Sequence, residues 1–333
     1  MKYRNGLLGF ILFASLVAQV AADTSNRVGM VLWAGCEDVC RGVADQLRAM
    51  DPGIEFLQFD AARDENVLAR MPDLVKDAKL DLLVTWGTRV TRQMVGTKAE
   101  FNEGSRMGDM PVVFTVVSDP VASDIVDSYT ETGRTQITGT RNRVPEAVNI
   151  NGLRRVMPDF NHLGLIYEPE ADNSLRKFEE INALSKQEGF HLTAVPVRGG
   201  DPAKLQHMAT GIAQMKAAGV QFIYLGSSTF LETHADTFTE TALSHGLPVL
   251  SPYEKLVHES QAYLSIAARD YDVGKLAAQQ AMRILNSDAQ AGSYPVLAME
   301  EFAFVLNGSV AKKLSLYPPL DMMQLFEVTE GRQ

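Results

Sequence analysis

Small hydroxyl residues, acids and aromatics recur in this chain at one kind of place, between an apolar run and a helix-like stretch. Ser118 and Asp119 follow the run 112–117, and Gly87 and Thr88 follow the run 80–86. Trp33 and Glu37 flank the exit of 27–34. Tyr167 closes 162–167, and Asn173 and Ser174 open the helix beyond it. Ser227 and Ser228 follow 221–225, Tyr253 follows 248–250, and Asp270 and Tyr271 begin the periodic helix 270–285. Hydroxyls and free backbone amides at helix starts can hold a carboxylate. Aromatics beside them supply apolar walls. Asp119 and Asp270 can hold a cationic group such as an ammonium. Singly, each also has a plain structural reading: a serine caps a helix, and Asp119 before Pro120 complements a helix dipole. Their common place, after strands, points to a site, because open α/β sheets bind ligands at the carboxyl ends of their strands.

Catalytic patterns are missing. No G-x-G-x-x-G follows a strand, and neither G-x-x-x-x-G-K-[ST] nor G-x-S-x-G occurs. The six histidines form no i, i+4 pair and no H-E-x-x-H, and His258-Glu259 alone is a weak metal fragment. The residues therefore read as binding without chemistry, with no enzyme activity, no metal and no cofactor.

The elements that must position these residues alternate. Short apolar runs read as strands at 27–34, 55–61, 80–86 and 112–117, separated by amphipathic helices at 38–50, 65–78 and from 90 onward. This order means an α/β fold with parallel sheets covered on both faces. The stretch 111–126, PVVFTVVSDPVASDIV, reads as a buried strand ending at Ser118-Asp119-Pro120, with a helix just after. The stretch 247–257, LPVLSPYEKLV, echoes it. LDLLVTWGT at 80–88 likewise aligns with VQFIYLGSS at 220–228. The chain reads as two similar lobes facing each other across these loops. Trp86 lies within a strand and reads as core; Trp33, at a strand exit, is the better pocket residue. A strand-helix pair at 262–267 and 270–285 suits a return to the first lobe, and the pair at 301–306 and 310–314 a return to the second. Three crossings make a hinge, and no Pro/Gly/Ser-rich linker interrupts them.

The N-terminus reads as an export signal: Lys2 and Arg4, an apolar core at 7–17, and small residues at Val20-Ala21-Ala22. The alternative is an uncleaved anchor. The expected organisation is a signal peptide at 1–22, an N-terminal lobe of 23–138 plus 254–290, and a C-terminal lobe of 139–253 plus 291–333. Export makes a disulfide between the two cysteines, Cys36 and Cys40, possible, and their spacing leaves the pairing open. A net charge of −10 makes nucleic acid and anionic membranes poor partners.

These features together resemble the exported substrate-binding components of ABC transporters, in the family that includes tryptophan-binding and related amino-acid-binding proteins. The resemblance is carried by PVVFTVVSDPV at 111–121, ITGT at 137–140, GLIYEPEADNS at 164–174, RDYDVGKLAA at 269–278, AMRIL at 281–285 and FVLNGSVAKKLSL at 304–316. It implies a type I periplasmic-binding-protein fold with two Rossmann-like lobes and a three-crossing hinge. It also implies a periplasmic monomer that closes on a small amino-acid-like or aromatic carboxylate ligand. The partner would be an inner-membrane ABC permease; the alternative is a sensing subunit that docks on a membrane receptor. By the resemblance, Gly87-Thr88 would hold a carboxylate and Ser118-Asp119 polar groups. Asn173-Ser174, Ser227-Ser228 and Asp270-Tyr271 would contribute from the second lobe and the hinge side. GTRV at 87–90 departs from the family's usual A-T-P-A-like residues, and the charge of Arg89 there would favour a more acidic ligand.

Overall fold

The protein is described by a computed structural model that covers residues 25–331 except 118 and 227. The expected signal peptide lies outside the described residues. The first half runs β1 (Arg27–Leu32), α1 (Asp38–Met50), β2 (Glu55–Asp60), α2 (Glu65–Asp77), β3 (Leu82–Trp86), α3 (Gly87–Val95), α4 (Lys98–Phe101), β4 (Val112–Thr115) and β5 (Ile137–Arg141). The second runs α5 (Glu146–Val156), β6 (His162–Tyr167), α6 (Asp172–Glu188), β7 (His191–Pro196), α7 (Asp201–Ala217), β8 (Phe222–Leu225), α8 (Thr229–Thr233), α9 (Ala235–Ser244), β9 (Val249–Ser251), α10 (Lys255–Glu259) and β10 (Leu264–Ala267). The remainder is α11 (Asp270–Leu285), β11 (Leu297–Ala298), β12 (Ala303–Asn307), α12 (Gly308–Leu314) and β13 (Phe326–Thr329). No helix among the described residues is long and apolar enough to cross a membrane.

Two sheets form. The first has the order β11-β5-β4-β3-β1-β2 and the second β13-β12-β10-β9-β8-β6-β7. All pairings are parallel except β10 with β12. Strand side chains alternate between faces. Val28, Met30, Leu82 and Val84 therefore pack under α1 and α11, while Val31 and Leu83 pack on the opposite face with Leu68, Val90 and Met94. Both faces are buried, which is why these strands read as continuous apolar runs.

The chain leaves the first sheet after Arg141, returns after Ala267, and crosses again between Ala298 and Ala303. The strand at 262–267 does not return to the first lobe. β10 is buried at every position and pairs with β9 and β12 inside the second sheet. Only α11 goes back, where it lies on α1. Glycines allow the close approach: a Cβ on Gly274 would stand 2.0 Å from the Val39 carbonyl oxygen. The two-residue β11 then adds to the first sheet beside β5.

The helix expected after Pro120 is also absent. One turn forms and is closed by a Schellman arrangement, with Ile125 N donating to Pro120 O at 2.9 Å and Asp124 N to Val121 O at 3.0 Å. Asp124 takes the left-handed conformation (φ 56°) that ends the turn. Asp124 is also engaged elsewhere: its carboxylate accepts from Ala99 N at 3.1 Å and its carbonyl from Lys98 N at 2.8 Å. Cys36 and Cys40 are joined in a disulfide that ties the loop after β1 to the first turn of α1.

Candidate functional site

A cleft of about 940 Å³ opens where the crossings meet. From the first lobe it is bordered by Asp38, Arg41 and Asp45 on α1 and by Asp119 after β4. From the second it is bordered by Asn173, Arg176 and Lys177 on α6, by Tyr224 at β8 and by Tyr253 after β9. The crossings add Arg143, Asp270 and Tyr271. Asp119 holds its own turn by accepting from Ala122 N at 2.9 Å, and its other oxygen faces Arg176 across the cleft at 3.9 Å. The Tyr271 hydroxyl donates to Asp45 at 2.9 Å, and this bond holds its pKa above the usual tyrosine range. The Asp270 carboxyl is also raised, first by loss of surrounding water and then by Glu254 and Glu37.

The second-lobe wall conceals a polar network. Lys177 and Glu146 form an ion pair with only 6% and 8% of their side chains exposed. Lys177 also donates to the Tyr224 hydroxyl at 3.3 Å. The Asn149 amide donates to that hydroxyl at 3.0 Å and to Glu146 at 3.2 Å. Arg143 reaches Glu146 at 3.3 Å and Glu180 on α6 at 3.1 Å. Burial lowers the pKa of Lys177 against the pull of Glu146, and burial raises Tyr224 well above its ordinary value. Asn149 Oδ1 has no hydrogen-bond partner among the described residues.

A second, smaller pocket of about 340 Å³ lies at the carboxyl ends of β1 and β3, bordered by Trp33, Glu37, Arg63 and Trp86. Arg89 does not leave a free charge at the mouth. It pairs with Glu65 and places its guanidinium 4.7 Å from the Trp33 ring centre, so the expectation of a more acidic ligand loses its basis. Trp86, read from sequence as core, is half-buried: it packs on the apolar cluster beneath α1 and also borders this pocket.

Of the residues expected at the site, Asp119, Asn173, Tyr253, Asp270 and Tyr271 border the large cleft, and Trp33 and Glu37 the small pocket. Gly87, Thr88, Tyr167, Ser174 and Ser228 border neither. Gly87 starts α3 and accepts from the Thr91 hydroxyl at 2.8 Å. Tyr167 stacks on Phe178 with ring centres 4.4 Å apart. Ser174 is buried and accepts from Glu168 N at 2.9 Å, and Ser228 caps α8 through Leu231 N at 2.9 Å. Ser118 and Ser227 lie outside the described residues. Sequence reasoning missed Arg143, Glu146, Arg176, Lys177 and Tyr224. A pattern would have been hard to see, since Glu146 and Lys177 stand 31 residues apart. His258 sits against Glu254 at 3.3 Å and Thr329 at 3.2 Å. No group of three or more histidine, cysteine or acidic residues that could hold a metal occurs among the described residues.

Comparison with known proteins places this geometry. The family described as ABC transporter substrate binding protein matches residues 30–322. A tyrosine-binding protein of Clostridioides difficile is 19% identical over 209 residues, which is 62% of this chain. The match spans 58% of that relative's own length. The ligand-free, open structure of a substrate binding protein with adhesive properties from Clostridium difficile superposes with a TM-score of 0.78 at 18% identity, covering 92% of this chain and 100% of that one. An ABC domain in complex with L-Trp from Streptococcus pneumonia gives 0.65 at 18% identity, covering 92% and 99%. These likenesses establish the type I periplasmic-binding-protein fold, with its two lobes and three-crossing hinge. The matched family is one of substrate-binding proteins, not of enzymes. The chain belongs to the ABC transporter substrate binding protein family.

Proposed function

We propose that the protein is the periplasmic solute-binding component of an ABC importer. It captures a small amino-acid-like or aromatic carboxylate ligand between its lobes and delivers it to a permease in the inner membrane. Residues 1–22 serve as its export signal, and it works as a monomer. The observation that carries this reading is the cleft at the crossings, bordered from both lobes, across which Asp119 and Arg176 stand 3.9 Å apart. A ligand touching both walls makes contacts that exist only when the lobes are together, so it shifts the population toward the closed state. Tyrosine and L-Trp, the ligands of two similar proteins, support the ligand class.

The test is a panel of L-amino acids and aromatic carboxylates read by thermal unfolding and by small-angle scattering. A true ligand at 100 times its Kd stabilises the folded state by about 2.7 kcal/mol. It also reduces the radius of gyration. A panel that moves neither quantity, or a saturating ligand that leaves the lobes equally far apart, refutes the proposal.

A further inference from the structure

β4 and the loop after it change faces at one residue. Side chains along a strand alternate. Val112 and Phe114 lie in the apolar cluster that holds Leu68, Val90 and Met94, and Val113 lies in the cluster beneath α1 and α11. Continued alternation would put Val116 with Phe114 and Val117 with Val113. The structure has the reverse. Val116 packs on the cluster beneath α1, and Val117, fully buried, joins the opposite one. The order of faces shifts by one residue at Val116, as it does at a bulge in a paired strand.

The backbone of Val116 makes the shift: its φ is 56°, in the left-handed region. Six non-glycine residues among the described residues take positive φ, and Val116 alone of them is β-branched. Lys79 and Ser315 follow α2 and α12, and Asp124 closes the turn after Pro120, places where this conformation is ordinary. For a branched side chain at the end of a strand it is an outlier, and such strain gathers at binding and switch sites. The ladders do not impose it. Thr115 is the last residue of β4 paired with β3, and Phe114 the last paired with β5. Burial holds it instead, because Val117 sits in one cluster with Ile125 and Val126, which close the same loop. Between these anchors the loop carries Asp119 to the cleft. One of its carboxylate oxygens accepts from Ala122 N at 2.9 Å, and the other faces Arg176 at 3.9 Å.

We propose that Val116 is the positioning residue for Asp119: its left-handed backbone turns the loop over, seats Val117 beside Ile125 and Val126, and so presents the Asp119 carboxylate to a ligand in the cleft. The inference rests on the solute-capture reading above and adds to it a residue that touches no ligand, since Val116 borders neither the cleft nor the small pocket. An extended Val116 would carry Val117 to the wrong face of the sheet and take Asp119 away from Arg176. The strain and the fixed place of the acid are two sides of one backbone choice.

Three substitutions separate this role from simple packing. Glycine takes the left-handed conformation freely, alanine takes it at a cost, and proline, with φ fixed at about −65°, does not take it. Position is read without ligand in the full chain carrying Asp119→Cys and Arg176→Cys. A short bifunctional maleimide joins these two thiols and does not react with the Cys36–Cys40 disulfide. Adding Val116→Gly should leave the rate of cross-linking unchanged. Adding Val116→Pro should slow it at least about 10-fold, in proportion to the loss of the presented conformation. Thermal unfolding checks that the proline variant is folded; Thr115 before it is already extended, as a residue before proline should be. Strain is read in the chain without added cysteines. There Val116→Gly should exceed Val116→Ala by about 5-fold in the folding constant, the reverse of the usual order of these residues. A folded Val116→Pro protein that cross-links at the unsubstituted rate overturns the proposal, and so does Val116→Ala proving the more stable of the two. If Val116→Pro does not fold, the glycine–alanine order and the cross-linking of Val116→Gly decide, and slow cross-linking in the glycine variant overturns it. None of these measurements uses a ligand, so their failure leaves solute capture standing, and a failed ligand panel leaves their outcome unchanged.

Discussion

In the second lobe, Lys177 and Glu146 meet almost out of water, and Tyr224, Asn149 and Arg143 complete the network around them. In the first lobe, Arg63 and Glu37 stand exposed at the small pocket without ion-pair partners among the described residues. A buried charge has to be paired within the fold, because an isolated one costs several kcal/mol. An exposed charge keeps its water and carries no such requirement. The buried network is therefore a fixture that shapes the cleft wall, whereas the fold does not require a partner for either exposed charge. Charge alone does not mark a structural group; burial does.

Breaking the fixture should have the largest effect. Glu146→Gln leaves the Lys177 ammonium buried against a neutral amide and the Tyr224 hydroxyl, and should destabilise the protein by about 3–5 kcal/mol. Burial already lowers the Lys177 pKa, and Glu146 opposes that shift, so the substitution lowers it further. For a lysine with a lowered folded pKa, the penalty applies while the group stays charged and shrinks as pH rises through that value. Urea denaturation at several pH values checks both points. The loss should be greatest near neutral pH, where the parent's carboxylate is ionised and Lys177 is charged, and smaller both in strong acid and in alkali. A pH-independent loss below 1 kcal/mol would mean the network is not the fixture described.

How much of this was legible in the sequence follows from the range of each interaction. β4 was legible because three consecutive apolar residues, Val112 to Phe114, follow a proline, and β1 and β3 for similar reasons. Local patterning also placed Asp119, Tyr253, Asp270 and Tyr271 at strand ends or helix starts, and all four border the cleft. The turn after Pro120 was not legible, because Asp124 is drawn into contacts with Lys98 and Ala99 from another part of the chain. Nor was the sheet membership of β10, which depends on pairing with β12 from beyond the second return. Arg176 and Lys177 carry no local signal, because their partners, Asp119 and Glu146, come from distant segments. Trp86 was misleading because a strand's last residue can be core on one side and pocket on the other.

On the first-lobe side, the largest expected effect comes from the disulfide. It closes a loop of sequence separation 4, for which the chain-entropy relation gives about 2 kcal/mol. Replacing both cysteines by serine should lower stability by about that amount in thermal unfolding. If the cysteine variant is as stable as the parent, the loop's order does not depend on the bond, and Arg89 stacked on Trp33 is sufficient to hold the wall.

Asp270 gives the smallest and most discriminating test, because it stands where the two regions meet. Its carboxyl is raised by loss of water and by the nearby charges of Glu254 and Glu37. An acid with a raised folded pKa favours the folded state while it is protonated. That advantage is lost as pH rises from the unfolded value through the folded one, and above both values the ionised group is a constant burden. Asp270→Asn should therefore raise stability at neutral pH by no more than about 0.5 kcal/mol, as expected for an exposed position. The gain should vanish as pH falls below the ordinary aspartate range. Thermal unfolding of the two proteins across pH 3–7 measures the difference. If an amino-acid ligand places its ammonium on Asp270 rather than on Asp119, Asp270→Asn will abolish binding while Asp119→Asn leaves it intact. That pair of results would move the ligand's cationic end from the loop after β4 to the start of α11.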